Sequence, residues 1–405
     1  MESSLFAFAI DVVGEGPDTL VAAAGERGGV TGISFAAAYH HARDILPHNP
    51  LSRLHFHEGG TVFFHPQEQR YGKLRPQAAR LAEERDPLAE LCTATERRSM
   101  QTRAWTVYLH NSRLGMAHPE CAPQNALGDR LLTDLCPAHP EVRHYAVALT
   151  ADVVRYPIRS IMAEALHFKG IEHGFHHERY FLDLGETARF LLGLCFCRWC
   201  MERALAQGVA AEGVRQAVQR ELEGCFESGA GGHEPLVRER IGELAGGEMS
   251  GFLDVRSHTV ASLVADVHEV ATAADVRLTF SAHGGSAKGG RTHSTDAAGS
   301  TWTLGVDMET LPSLVDEFEV LGYGSETADI ESTIAGYTTA LDNRTDVVVA
   351  LRPMWPDTTT PDQLIERVRL AAAHRAARLD FYHYGLMPER SLDWIAASLR
   401  TLAQG

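Results

Sequence analysis

No apolar run in this sequence approaches the ~20 residues a bilayer-spanning helix requires, so no membrane span is expected. Nor does it open like a secretion signal. Met1-Glu2-Ser3-Ser4 brings no basic segment, and Asp11 breaks the apolar stretch Leu5–Ile10, which reads as a first strand. Positive charge is scarce: 37 Lys and Arg stand against 53 Asp and Glu, a formal net charge of −16. Such a field repels phosphate backbones and argues against a nucleic-acid partner. Cysteine is also sparse, at seven, an odd number with three crowded into one short segment. That is no disulfide framework. It fits a reducing compartment, and the expected location is cytoplasmic. No repeat of fixed period is present, no GxGxxG follows the first apolar run, and no HExxH or facial-triad spacing occurs.

The 405 residues are 44% hydrophobic and 22% charged, an ordinary globular composition that excludes disorder as the main state. Short apolar runs recur, each followed by an amphipathic stretch: Leu5–Ile10, Val30–Ala37, Trp105–Leu109, Ile158–Ala163, Arg277–Phe280, Phe318–Leu321, Val347–Leu351 and Leu379–Tyr382. Runs of this kind are strands buried on both faces of a parallel sheet. Helical patterns between them include Thr19–Gly28, Glu141–Tyr156, Pro361–Ala377 and Leu392–Leu402. Pro140-Glu141 and Thr360-Pro361-Asp362 place proline and an acid where a helix begins. Eight alternating units predict an α/β fold, a single (β/α)8 TIM barrel over residues 1–405, in preference to an open doubly wound sheet.

Extra length falls in three places. Leu54–Pro66 reads as two alternating runs around Glu58-Gly59-Gly60, a β-hairpin inserted after strand two. A mostly helical insertion over residues 201–272 follows strand four. A Gly-rich loop, His283–Ser300, follows strand five. Barrel active sites lie at the carboxyl ends of the strands. The residues closing each run are therefore the candidates: Asp11; Tyr39, His40 and His41; His110 and Asn111; Glu164 and His167; His283; Tyr323; Arg352 with Trp355; and Tyr382, His383 and Tyr384. A lining of His, Tyr and Trp suits a small saccharide, whose apolar ring faces stack on aromatics while its hydroxyls take directed hydrogen bonds.

Glu164, closing an apolar strand, is expected to be partly desolvated, with its pKa raised toward the range of a general acid. After it come His167, His173, His176, His177 and Glu178. These either grip substrate hydroxyls or bind a divalent metal. Asp11 either bonds a substrate hydroxyl or caps its own loop. In Leu194-Cys195-Phe196-Cys197-Arg198-Trp199-Cys200, three thiols fall within six residues. They can converge on one soft ion with Cys136, Cys121 or His139 as a fourth ligand, and four protein ligands would make such a zinc structural. No organic cofactor is expected.

A strand-four glutamate, a downstream CxCxxC and an upstream Cys-Pro together resemble the barrel domain of the family 42 beta-galactosidases. The stretch Leu135-Cys136-Pro137-Ala138-His139-Pro140-Glu141-Val142-Arg143-His144-Tyr145 resembles the step before strand four in many glycoside-hydrolase-like barrels. The likeness covers about Trp105 to Cys200. It implies that Glu164 is the acid/base and that Cys136, Cys195, Cys197 and Cys200 bind zinc. Three departures accompany it: Ala163 stands where that clan has Asn, the His-rich loop lengthens the spacing from Glu164 to Cys195, and strand seven closes on Leu351-Arg352-Pro353, where the nucleophilic Glu would be. A second carboxylate would then come from Glu178, Asp11, Asp307 or Asp357. The expected function is a glycoside hydrolase acting on a small glycoside or oligosaccharide. The alternatives are a metal-dependent sugar isomerase, epimerase or lyase using the His-rich loop, and a sugar-binding barrel without a nucleophile. Self-association into a homo-oligomer is a further expectation.

Overall fold

The computed structural model describes residues 1–171, 179–232, 234–281 and 297–403. Eight parallel strands succeed one another around a ring: β1 (Glu2–Ala7), β2 (Gly32–Tyr39), β3 (Gln101–Val107), β4 (Ser160–Glu164), β5 (Arg277–Ser281), β6 (Glu317–Leu321), β7 (Asp346–Leu351) and β8 (Arg378–Phe381). β8 pairs in parallel with β1, Glu2 opposite Arg378 and Leu5 opposite Phe381, so the sheet closes into the expected barrel. Helices Pro87–Arg97, Pro140–Val153, Glu248–Ala273, Thr327–Leu341, Pro361–Ala373 and Arg390–Ala403 pack outside it. Their starts are written in the sequence. Asp86 accepts a hydrogen bond from Ala89 N at 3.0 Å, and Thr360 with Gln363 forms a capping box. Among the described residues no helix is long and apolar enough to cross a membrane.

Two local differences from the sequence reading have physical causes. β1 ends at Ala7, because the apolar run continues into a helix, Ala9–Glu15, that buries Ile10 and Val12. The hairpin after β2 pairs Leu54–His57 with Ala42–Ile45, and the expected second arm, Thr61–Val62, instead runs antiparallel to Ala38 and Tyr39 of β2. Alternation marks a strand but does not name its partner. After β4, helices Gly185–Leu192, Arg198–Ala206, Ala211–Ser228 and Arg238–Gly242 build an apolar cluster of their own around Leu191, Phe196, Val214, Leu222 and Phe252. The long helix Glu248–Ala273 serves both cores: Phe252 packs in that cluster, while Val260, Leu263, Val264 and Val267 pack against the barrel.

Strand alternation sorts the barrel interior into layers. At its amino-terminal end, Arg103 reaches Glu2 at 2.6 Å, and Arg378 binds both Asp380, at 2.9 Å, and Glu317. Thr279 donates to Glu317 at 2.5 Å, and the Ser4 and Ser34 hydroxyls meet at 2.8 Å. Above these lie Met162, Ser281 and Glu319. At the carboxyl end the inward positions are aromatic: Phe6, Tyr39, Trp105 and Tyr382. Tyr39 faces inward because the β2–β3 register slips between Ala36 and Ala38, a bulge that turns the next residue toward the axis.

Candidate active site and metal centre

Glu164 closes β4, nearly buried, and Trp105 Nε1 donates to its Oε2 at 2.5 Å. Burial raises its pKa, opposed by that hydrogen bond and by Lys169, His110 and His167. Next to it stands a second buried pair. His110 Nδ1 meets Asp134 Oδ1 at 3.0 Å, and the Thr133 hydroxyl donates to Asp134 at 2.6 Å. Burial pushes Asp134 up, but His110, Lys169 and Thr133 together hold it below the usual carboxylate range. Burial lowers the Lys169 ammonium, while Asp134 and Glu164 hold it up.

The aromatic wall continues from Trp105. Its ring centroid lies 4.8 Å from Tyr39, 5.1 Å from Phe6 and 6.0 Å from Tyr382. Tyr39 stacks on His40 at 4.2 Å, and His40 lies 5.0 Å from His110. Tyr382 neighbours Tyr323 at 5.9 Å, and the Arg352 guanidinium sits 3.8 Å over the Tyr323 ring. Tyr39, His40, His110, Glu164, His167, Tyr323, Arg352 and Tyr382 are thus gathered at one end of the barrel. His167 donates from Nδ1 to the Phe168 carbonyl at 2.6 Å.

The other candidates are placed differently. His383 is fully buried beneath the wall, stacked on Phe8 at 3.8 Å, and burial holds its ring well below the ordinary pKa. Asn111 caps the helix Ser112–Ala117, accepting from Leu114 N at 3.0 Å. Asp11 is fully buried among Phe8, Asn49, His48 and Glu15, accepts from Phe8 N at 2.9 Å, and is pushed by burial up to about 7. Trp355 is 80% exposed. Asp307 accepts from Thr310 in an exposed turn, and Asp357 accepts from Gly324 N at 2.9 Å. His173, His176, His177, Glu178 and His283 lie outside the described residues.

Four site residues escaped the sequence reading: Trp105, Asp134, Lys169 and Glu319. Period-two alternation carried the signal for two of them, since Trp105 shares a face with Val107 and Glu319 with Glu317. Glu319 is 1% exposed, and among the described residues the one hydroxyl beside its carboxyl is that of Ser281. Burial, reinforced by Asp380 and opposed by Arg378, pushes it up to about 8. Asp134 and Lys169 lie in loops, where no periodicity applies.

The cysteines form the second feature. Cys197 is the residue before helix Arg198–Ala206, Cys200 lies in its first turn, and Cys136 closes the group from the chain before helix Pro140–Val153. Cys136 Sγ lies 3.7 Å from Cys195 Sγ and 3.6 Å from those of Cys197 and Cys200, all four buried. A tetrahedron with metal–sulfur bonds of 2.3 Å has S···S edges of about 3.8 Å, so this is a candidate metal centre. Cys121 and His139 instead face each other, 3.7 Å from Sγ to Nε2.

No family model matches the sequence, and no curated protein matches it. Solved structures do match in fold. An alpha-L-fucosidase isoenzyme 2 from Paenibacillus thiaminolyticus superposes with a TM-score of 0.58 at 12% identity, covering 100% of this chain and 49% of that one. A beta-galactosidase from the psychrophilic Marinomonas ef1 gives 0.55 at 9% identity, covering 100% and 60%. An endo-1,4-beta-mannanase from Rhizomucor miehei gives 0.51 at 6% identity, covering 100% and 95%. The chain spans about half the length of the first of these and three-fifths of the second. It is a TIM barrel of the kind these glycoside hydrolases share, and identities this low establish the fold alone.

Proposed function

We propose that this barrel hydrolyses a glycosidic bond in a small glycoside or oligosaccharide, with Glu164 as the general acid. The observation that carries the reading is a desolvated carboxyl at the mouth, held by Trp105 and set in a wall of Tyr39, Trp105, Tyr323 and Tyr382. Aromatic faces take up the apolar side of a sugar ring, and the raised pKa keeps a proton ready for the leaving oxygen. The carboxyl end of β7 leads into Arg352 and brings no acid to the mouth. The base is therefore assigned to His110: its Nδ1–H donates to Asp134, which leaves Nε2 as the basic nitrogen. Glu164 protonates the glycosidic oxygen as the C–O bond breaks, and His110 takes a proton from the water that attacks the anomeric carbon. Burial and the Asp380 charge push Glu319 up, away from the ionised form a second carboxylate would need.

The four thiols fit a zinc ion. Their spacing matches a tetrathiolate, and with four protein ligands no position stays open for water, so Cys136, Cys195, Cys197 and Cys200 would hold the ion as a brace between helix Arg198–Ala206 and the chain before helix Pro140–Val153. The reaction uses other residues.

The test is Glu164→Gln assayed on a panel of glycosides and oligosaccharides by release of reducing sugar. Turnover should fall by about 10²- to 10⁴-fold, with the melting temperature unchanged. Wild-type rates in the variant would remove Glu164 from the chemistry.

A further inference from the structure

We infer that the substrate carries a carboxylate, a uronic acid residue whose acid group is received by Arg352. This inference rests on the saccharide reading above and narrows it. Arg352 follows β7 at the next inward position after Ala350, so alternation turns it into the mouth. Its backbone is fixed, the carbonyl accepting from the Thr358 hydroxyl at 2.6 Å. Its guanidinium lies 3.8 Å over the Tyr323 ring and 5.6 Å from that of Tyr382. Stacking of this kind orients the planar group and leaves its edge N–H donors directed outward.

Those donors make no hydrogen bond to any described residue. The facing acid is Asp357, whose Oδ1 stands 3.8 Å away and whose Oδ2 is already engaged by Gly324 N. That separation is an ion pair beyond hydrogen-bond reach. The Arg352 side chain keeps 25% of its surface exposed. An oriented, half-buried guanidinium with unused donors is built for a planar anion, and the two parallel N–H groups of an arginine match a carboxylate. Lys169, one of only three lysines in the chain, adds a second cation at this end of the barrel beside Glu164. In a protein of net charge −16 these cations are placed where the general field would otherwise repel an acidic sugar.

The experiment is calorimetric titration of the whole protein with galacturonate and glucuronate against galactose and glucose, and with inorganic sulfate, at low ionic strength. Arg352→Gln and Arg352→Lys are titrated beside the wild type, with their melting temperatures confirming the fold. A uronate should bind at least about tenfold more tightly than its neutral counterpart, and Arg352→Gln should erase that difference. Arg352→Lys should restore it only in part, since an ammonium has neither fork nor plane. Equal affinity for neutral and acidic sugars, a uronate preference unchanged in Arg352→Gln, or sulfate binding as tightly as the uronate overturns the inference and leaves the saccharide reading standing. Failure of every sugar to bind the folded wild type overturns both.

Discussion

At the scale of single residues, the interior of this barrel is governed by carboxyl groups that water does not reach. Glu164, Glu319 and Asp11 are all raised by burial, yet their surroundings give them different work. Glu164 has a Trp105 hydrogen bond and basic neighbours at the mouth; Glu319 sits beside Asp380, whose charge adds to the effect of burial. The consequence is a pH dependence of stability. Folded Glu319 holds its proton to about pH 8, whereas an unfolded Glu releases it near pH ~4.3. Between those values the folded chain binds more protons than the unfolded one, so stability falls as pH rises through the window. Asp11, titrating at about 7 when folded, adds a slope of the same sign. Thermal unfolding from pH 5 to 8 should show a falling melting temperature in the wild type and a shallower fall in Glu319→Gln. Parallel curves would mean that Glu319 is ionised in the folded protein. Gly385 packs against Asp11 so closely that a Cβ there would overlap the carboxylate, which explains why a glycine closes this corner.

At the scale of elements, β6 and β8, which the sheet separates by β7, are joined by charge. Arg378 is 2% exposed and neutralises both Glu317 and Asp380. Taking away one member of a buried ionic group leaves the others uncompensated. Arg378→Met should therefore lower stability by about 3–5 kcal/mol in urea unfolding, and a loss below 1 kcal/mol would show that the acids release their charge by protonation. Legibility also divides at this scale. All eight strands could be read in the sequence because each is a short apolar run, and helix starts such as Thr360-Pro361 could be read from their caps. The pairing of Leu54–His57 with Ala42–Ile45 could not, since alternation fixes a face and leaves the partner strand open. Tyr39 was found as a residue closing an apolar run, although its inward direction depends on a bulge that no periodicity reveals. Asp134 and Lys169 come to Glu164 from loops, which only the closed barrel brings into register.

At the scale of the whole molecule, the described residues form two apolar cores, one inside and around the barrel and one among the helices that follow β4, and the cysteine cluster lies where they meet. Cys136, Cys195, Cys197 and Cys200 pack with the barrel core, while Phe196, between two of them, stacks on Phe252 of the other at 4.8 Å. A zinc ion there would tie helix Arg198–Ala206 to the barrel. The purified protein should carry one zinc per chain, and Cys200→Ser should lose it together with several degrees of melting temperature, read by elemental analysis and calorimetry. Full stability in a metal-free variant would assign these thiols to packing alone. The central claim, that Glu164 protonates a glycosidic oxygen, is tested most directly by varying the leaving group. With alkyl glycosides, which need the proton, Glu164→Gln should lose about 10²- to 10⁴-fold in turnover; with dinitrophenyl glycosides, whose leaving group departs unprotonated, it should lose little. An equal loss on both substrates, or none on either, would contradict the account.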